Sequence, residues 1–206
     1  MTSPGEPGTP GEPGEPGTPG SPRRPTLVAV SGPPGAGKTT LAHALADALG
    51  WPAVCRDELK ERMAAAGSSD AGADPGRDLD LRTYEAFFRA LGDHLAAGTS
   101  LVAEAAFQDR LWRPGLEPLT GRAELRIVRC VVDPERARRR IARRAADLPG
   151  RSVHADAAFL RRIAAGERPI ESWVPIGLDV PRLVVDTTEG WRPPLARIVA
   201  FAAGEP

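Results

Sequence analysis

Residues 32–39 read GPPGAGKT and fit the phosphate-binding loop pattern G-x-x-x-x-G-K-[ST] at every fixed position. Glycines at this spacing let the backbone curl until successive N–H groups point at phosphate oxygens. The amine of Lys38 would bind the β- and γ-phosphates, and the Thr39 hydroxyl would coordinate Mg²⁺. The residues expected to contact the nucleotide are Gly32, Pro33, Pro34, Gly35, Ala36, Gly37, Lys38, Thr39 and Thr40.

The flanking sequence agrees with this interpretation. A short apolar run at 27–30 precedes the loop and is typical of a buried parallel strand. An Ala/Leu-rich segment at 40–49 follows it and predicts a helix that ends at Gly50. A helix that starts at the loop adds its own N-terminal dipole to the anion site. We therefore expect a nucleoside triphosphate to bind here. The guanine-selecting pattern N-K-x-D is absent, which favours ATP.

Apolar runs and helical patterns alternate along the rest of the chain. Strands are predicted at 27–30, 53–55, 101–103, 125–132 and 183–185, and helices at 40–49, 57–66, 78–97, 135–146, 155–165 and 194–202. This alternation predicts a three-layer α/β fold, with a mostly parallel sheet and helices on both of its faces. Ligands of such sheets bind beyond the carboxyl ends of the strands, so residues that follow a strand are site candidates.

Asp57 follows the second predicted strand, at or just before a helix start. It could be an N-cap, which is a sufficient reason for aspartate at such a position. It could equally be a carboxylate that accepts the proton of an acceptor hydroxyl near the γ-phosphate. Its neighbour Arg56 would hold substrate or steady Asp57.

Glu104 follows the third predicted strand and interrupts an apolar run. A buried carboxylate needs a partner, which in a nucleotide site is Mg²⁺ or its water shell, whereas a strand-end residue in solvent needs none. Arg110 and Arg113 come soon after and would share a face if their segment is helical. Either could bind phosphate through two hydrogen bonds, or be a plain surface arginine.

An arginine-rich helix is predicted from Asp133 and Pro134, which form a good helix start. Most of its arginines are expected to face solvent. Phosphoryl transfer, however, needs positive charge over the transferring group, and arginines of such a lid can supply it. The arginines we select are Arg136, which would bind nucleotide, Arg140 and Arg143, which would act in catalysis, and Arg151, a further lid candidate.

Residues 1–25 differ in composition from the rest of the chain, because Gly-x-Pro repeats six times within them. We expect an extended, disordered leader, although glycine at every third position is also the collagen pattern. The remaining chain, 26–206, suits a single domain. Lys and Arg number 27, as do Asp and Glu, so charge favours neither nucleic acid nor a membrane surface.

The two cysteines, Cys55 and Cys130, adjoin apolar runs and are expected to be buried free thiols, which agrees with a cytoplasmic location. No His/Cys spacing suggests a zinc site. No apolar run approaches the length that spans a bilayer. We expect a monomer or dimer without membrane attachment.

Taken together, the segments quoted above resemble the small P-loop kinases of the AAA_33 group, related to polynucleotide kinase, zeta toxins and antibiotic phosphotransferases. The resemblance covers nearly all of 26–190 and implies a P-loop NTPase fold with an arginine-rich lid. It also implies ATP and Mg²⁺ as cofactors, with Glu104 and Thr39 at the metal. An aspartate at the position of Asp57 serves that family as general base for the acceptor hydroxyl.

Three functions fit these residues. The first is a kinase that phosphorylates a hydroxyl of a sugar, nucleoside or antibiotic, or a short 5′-hydroxyl nucleic-acid end, with Arg56, Asp57, Arg110 and Arg113 near the acceptor. The second is an ATP-hydrolysing AAA-like ATPase or a nucleotide-dependent switch. Glu104, which follows an apolar strand, is the residue that supports this alternative. The third is a scaffold that trimerises through the leader. Intact Lys38 and Thr39 favour an enzyme.

Overall fold

The computed structural model of the protein describes residues 24–66, 75–147 and 173–205. The Gly-x-Pro leader, apart from its last two residues, lies outside the described residues, as do the predicted helix at 155–165 and the lid candidate Arg151.

Five parallel strands form one sheet in the order β2-β3-β1-β4-β5. The strands are β1 (Thr26–Ser31), β2 (Ala53–Cys55), β3 (Leu101–Glu104), β4 (Glu124–Val131) and β5 (Arg182–Asp186). Each predicted strand is present, displaced by at most one residue at either end. The apolar runs located them well because strands buried on both faces are apolar throughout.

Six helices accompany the sheet in the described residues. They are α1 (Lys38–Leu49), α2 (Arg56–Ala65), α3 (Pro75–Ala96), α4 (Asp109–Leu116), α5 (Pro134–Asp147) and α6 (Leu195–Ala203), and a short 3₁₀ helix (Glu117–Gly121) follows α4. The sequence at 109–116 did not clearly predict helix α4, because Pro114 lies within it and proline is unfavourable inside a helix. No helix in the described segments is both long and apolar enough to cross a membrane.

The sheet separates two apolar layers. One layer packs α3 and α4 on the sheet through residues such as Phe87, Trp112 and Ile127. The other packs α1 and α6 through residues such as Leu41, Val128 and Ile198. Strand β1 lies in the middle, and its residues 27–30 are fully buried. The three-layer fold predicted from the alternation of elements is confirmed.

Strand register brings the carboxyl ends of β1, β2 and β3 together. Glu104, the last residue of β3, pairs with Val30 on one side and with Cys55 on the other. The phosphate-binding loop leaves β1 one residue after Val30, and Arg56 and Asp57 follow directly after Cys55. Three segments distant in sequence therefore meet at one edge, where parallel sheets bind their ligands.

Candidate active site

The loop between β1 and α1 is shaped by its glycines. Gly35 and Gly37 have φ values of 76° and 68°, in the left-handed region that favours glycine. A side chain at Gly35 would also meet the carbonyl oxygen of Ala137 at 2.7 Å, because the loop packs directly on α5. The first helical residue after Gly37 is Lys38, so the helix N-terminus faces the loop as a phosphate site requires.

Lys38, Thr39 and Glu104 form one polar cluster beside the loop, in which Glu104 is buried and the other two residues are partly buried. The Lys38 amine donates to the carbonyl of Pro33 at 3.2 Å and lies 3.8 Å from a carboxylate oxygen of Glu104. The Thr39 hydroxyl donates to the other oxygen of Glu104 at 3.1 Å. The Glu104 side chain is only 4% exposed. Of the two interpretations of Glu104, the buried carboxylate is therefore correct.

Burial raises the pKa of Glu104 above its ordinary value of 4.5, although the charge of Lys38 opposes the shift. The carboxylate of Asp57 raises this pKa further, and the Thr39 hydrogen bond lowers it. A buried carboxylate whose charge is incompletely balanced, hydrogen-bonded to a hydroxyl at a phosphate loop, is a hard-oxygen donor set. Thr39 and Glu104 therefore fit Mg²⁺ and could hold it directly or through water.

Asp57 is the second residue of α2, and Cys55 occupies the N-cap position. The N-cap alternative for Asp57 is therefore wrong. Its side chain is 75% exposed and accepts a hydrogen bond from the guanidinium of Arg56 at 3.0 Å. The carboxylate faces solvent at the sheet edge, near enough to influence the pKa of Glu104.

Arg56 is also bound on its other side, by a residue that sequence reasoning did not select. Its guanidinium donates to Asp80 of α3 at 2.5 Å, and Lys60 of α2 lies 2.7 Å from the same carboxylate oxygen. Partial burial acts to raise the pKa of Asp80, but the hydrogen bonds and charges of Lys60 and Arg56 outweigh it and lower the pKa. Arg56, Lys60 and Asp80 thus join α2 to α3 beside Asp57. No spacing in the sequence could show this.

Arg110 and Arg113 lie on α4, just beyond the carboxyl end of β3. Both are exposed, and Arg113 is paired with Glu117 at 3.4 Å. Trp112 between them is buried in the core. The segment that carries both arginines is therefore helical, as their shared face requires. The structure does not join either arginine to the cluster around Lys38, and their role in binding substrate stays a prediction.

Arg140 of α5 connects three segments of the site. Its guanidinium donates to the carbonyl oxygens of Thr187 at 2.5 Å, Thr188 at 3.2 Å and Gly35 at 3.3 Å. The Thr187 hydroxyl in turn donates to the carbonyl of Ala36 at 2.9 Å. These bonds attach the phosphate-binding loop to the turn after β5, which is a positioning role. A catalytic role for Arg140 stays a prediction.

A cavity of about 290 Å³ lies against this junction. Its walls include Gly37 and Thr40 of the loop and α1, Arg140 and Arg144 of α5, and Thr187 and Trp191 of the segment after β5. Arg144 was not among our selected arginines. It lies four residues from Arg140 and shares its helix face, which is the signal that could have found it.

The other two selected arginines differ from Arg140. Arg136 and Arg143 are exposed on α5, and the backbone N–H of Arg136 donates to the Asp133 carboxylate at 2.8 Å, which caps the helix as predicted. Neither residue lines the cavity. Their binding and catalytic roles stay predictions.

The cysteine predictions are confirmed, since Cys55 and Cys130 are both buried and free. Burial is the main cause that raises the pKa of each thiol to about 12. Both side chains are therefore neutral thiols at ordinary pH. Neither has the lowered pKa of a cysteine nucleophile.

Solved structures with this architecture include several kinases. A candidate kinase from Chloroflexus aurantiacus is 26% identical with a TM-score of 0.64, over 88% of this chain and 96% of the other. A sugar kinase from Janibacter sp. is 19% identical with a TM-score of 0.53, over 87% and 93%. A chain of the Pnkp1/Rnl/Hen1 RNA repair complex is 17% identical with a TM-score of 0.52, over 73% and 48%.

No curated protein matches the sequence. The AAA domain model named AAA_33 matches residues 27–169, which include the loop at 32–39, Asp57, Glu104 and helix α5. The match spans more than half of the chain, and the parallel sheet and phosphate-binding loop agree with it. We conclude that the chain is a kinase-like P-loop domain and belongs to the AAA_33 family.

Proposed function

We propose that the protein is an ATP-dependent kinase that transfers the γ-phosphoryl group to a hydroxyl. The acceptor would be a small molecule such as a sugar, nucleoside or antibiotic, or a nucleic-acid 5′ end. One observation carries this proposal: Asp57, after β2, lies beside the Lys38, Thr39 and Glu104 cluster that follows β1 and β3. A phosphate site and an exposed carboxylate at one sheet edge are the minimum that phosphoryl transfer to an alcohol requires.

The residues of the phosphate site would bind ATP and Mg²⁺, and a separate residue would accept the proton. The backbone of the phosphate-binding loop and the Lys38 amine would hold the β- and γ-phosphates and balance their charge. Thr39 and Glu104 would hold Mg²⁺, which would supply positive charge to balance the negative charge that develops during transfer. Lys38 is only 12% exposed, so its charge acts where water screens it little.

Asp57 would be the general base. Its exposed carboxylate is free to accept a hydrogen bond from an acceptor hydroxyl and then its proton as the new phosphate ester bond forms. The Arg56 guanidinium, bonded to both Asp57 and Asp80, would keep the Asp57 carboxylate oriented. Such positioning, together with electrostatic stabilisation, accounts for most of the catalysis in phosphoryl transfer.

The nucleoside of ATP would occupy the cavity beside the loop. The cavity lies on the side of Thr40, Arg144 and Trp191. An indole ring and a guanidinium plane are both surfaces on which a purine can stack. Arg140, bound to the loop and to the turn at Thr187, would maintain the distance between the phosphate and base sites.

The ATPase alternative uses the same phosphate site and differs in what attacks the γ-phosphate. Glu104 could orient a hydrolytic water, which is the observation that keeps this alternative open. The likeness to a sugar kinase supports the fold and does not identify the acceptor, since identity there is 19%. A cytoplasmic location and a monomeric or dimeric state also stay predictions.

The experiment that tests the proposal is ADP release from ATP and Mg²⁺ across a panel of hydroxyl compounds. The panel contains nucleosides, sugars, aminoglycosides, chloramphenicol and 5′-hydroxyl oligonucleotides, with a no-acceptor control. Acceptor-dependent ADP release, together with phosphate recovered on the acceptor, would support the kinase and name its substrate class. ADP release at one rate with every compound and without any would contradict it and favour the ATPase.

A further inference from the structure

Three side chains with no role in the proposed phosphoryl transfer meet at the carboxyl end of β2, between α1 and α2. His43 comes from α1, Cys55 ends β2, and Glu58 lies in the first turn of α2. The imidazole Nε2 of His43 is 2.7 Å from a carboxylate oxygen of Glu58 and 3.7 Å from the sulfur of Cys55. All three donor atoms lie within 4.8 Å of one another.

We infer that His43, Cys55 and Glu58 form a binding site for a transition-metal ion of the Zn²⁺ type. A nitrogen, a sulfur and a carboxylate oxygen are the three ligand types that Zn²⁺ takes, and three protein ligands leave the fourth position to water. Hard ions such as Mg²⁺ prefer oxygen alone, so this group differs in kind from Thr39 and Glu104. In the described residues it is the only group of His, Cys, Asp and Glu side chains this close.

The geometry needs little change to accept an ion. Bonds of about 2.0–2.3 Å in a tetrahedral site place neighbouring ligand atoms roughly 3.3–3.7 Å apart. The His43 to Cys55 separation of 3.7 Å already agrees with this. The His43 to Glu58 contact must open slightly, and both side chains can move because they are 46% and 45% exposed. Cys55 is buried, whereas His43 and Glu58 reach solvent, so an ion would enter the site past the His43 and Glu58 side chains.

A metal ion bound by His43, Cys55 and Glu58 would connect helices α1 and α2. Helix α1 begins at Lys38, and α2 carries Asp57 next to Glu58, so a bound ion would link the helices on which the two proposed reactive groups lie. Binding would release the thiol proton of Cys55 to solvent and place a thiolate, an imidazole and a carboxylate around the divalent charge. The expected effect is a higher unfolding temperature in the presence of the metal, because only the folded chain assembles the ligands. This inference does not depend on the proposed function.

The test uses the full chain, freed of metal by a chelator and titrated with Co²⁺ and Zn²⁺ in excess Mg²⁺. Excess Mg²⁺ would compete for the oxygen ligands of Thr39 and Glu104, so that Co²⁺ and Zn²⁺ report on the other site. We expect one Co²⁺ per chain with a thiolate-to-cobalt charge-transfer band in the near ultraviolet, and displacement of Co²⁺ by Zn²⁺. Cys55→Ser should abolish the band, and His43→Gln and Glu58→Gln should each weaken Zn²⁺ binding about tenfold or more.

Two variants serve as matched controls. Cys130→Ala removes the other buried thiol, and His94→Gln removes a histidine of α3; both should keep the band and the affinity of the wild type. Circular dichroism of each variant distinguishes loss of the site from loss of the fold. The inference is overturned if folded wild type shows no charge-transfer band, if Cys55→Ser retains it, or if His94→Gln weakens binding as much as His43→Gln.

Discussion

The two halves of the candidate active site are constructed differently. On the phosphate side, the side chains of Lys38 and Glu104 are 12% and 4% exposed. On the acceptor side, the side chains of Asp57 and Asp80 are 75% and 52% exposed. The first half is supported by strand ends within the core, and the second by ion pairs between two helices at the surface.

This difference separates stability from catalysis. Exposed ion pairs contribute little free energy of folding, because water screens them and because ordering long side chains costs entropy. Buried charges, in contrast, alter stability whenever a partner is removed. Substitutions on the phosphate side should therefore change both folding and ATP binding, whereas substitutions on the acceptor side should change transfer alone.

The largest expected effect is that of Lys38→Ala, which should abolish nucleotide turnover. The substitution removes the charge that would balance the β- and γ-phosphates and leaves Glu104 buried without its cation. ADP release and the binding of a fluorescent ATP analogue measure the loss. Lys60→Ala removes the only other lysine of the chain and should keep ATP binding. Equal loss of ATP binding in both variants would contradict the assignment of Lys38.

Asp57→Asn tests the acceptor side. We expect transfer to fall by roughly 10²–10⁴, the usual contribution of a general base, with ATP affinity and unfolding temperature unchanged. Single-turnover transfer to the acceptor identified by the panel measures the rate, and Asp93→Asn on the exposed face of α3 is the control. A transfer rate within a few-fold of the wild type would exclude the general-base role.

Arg140→Ala should affect both nucleotide binding and folding, since Arg140 joins the phosphate-binding loop to the turn after β5. Hydrogen bonds to a charged group contribute about 1.5–3 kcal/mol, and in a domain of this size such a loss should lower the unfolding temperature by roughly 3–12 °C. Thermal unfolding with and without ATP measures both effects.

Arg139→Ala is the matched control, because Arg139 is 63% exposed and pairs only loosely with Glu135 at 3.4 Å. This control should shift the unfolding temperature by less than about 2 °C. If the two variants are equally stable and bind ATP equally, the positioning role of Arg140 is wrong.

The smallest effect concerns pH. The raised pKa of Glu104 means that the folded protein binds this proton more tightly than the unfolded chain does. Its contribution to stability is therefore complete below pH 4.5 and is lost as the pH rises through the folded-state pKa. Without nucleotide and Mg²⁺, the unfolding temperature should therefore fall as the pH rises from 4.5 through the folded-state pKa of Glu104.

Other shifted groups in the described residues act outside this window. Asp80 and Asp186 have lowered pKa values, so they change the stability in acid. The two thiols and Tyr84 have raised pKa values, so they change it above pH 9. Glu104→Gln should therefore flatten the dependence, whereas Glu85→Gln on the exposed surface of α3 should not. Thermal unfolding at several pH values measures the slope. An unchanged slope in Glu104→Gln would show that another group causes it.

Local patterns predicted much of the fold. The apolar runs located every strand within one residue, Gly50 ends α1 in the left-handed conformation, and Asp133 caps α5. These features depend on neighbours in sequence. The N-cap interpretation of Asp57 failed by two positions because α2 begins directly after β2, at Arg56.

The sequence by itself determined the phosphate-binding loop and the parallel sheet, because a contiguous motif and contiguous apolar runs carry the information for both. Only the tertiary structure decided which arginines of α5 face the cavity, that Arg56 binds Asp80, and that His43, Cys55 and Glu58 meet. Those groupings join residues from different elements. They depend on helix rotation and strand register, which packing of the whole core sets and no local spacing encodes.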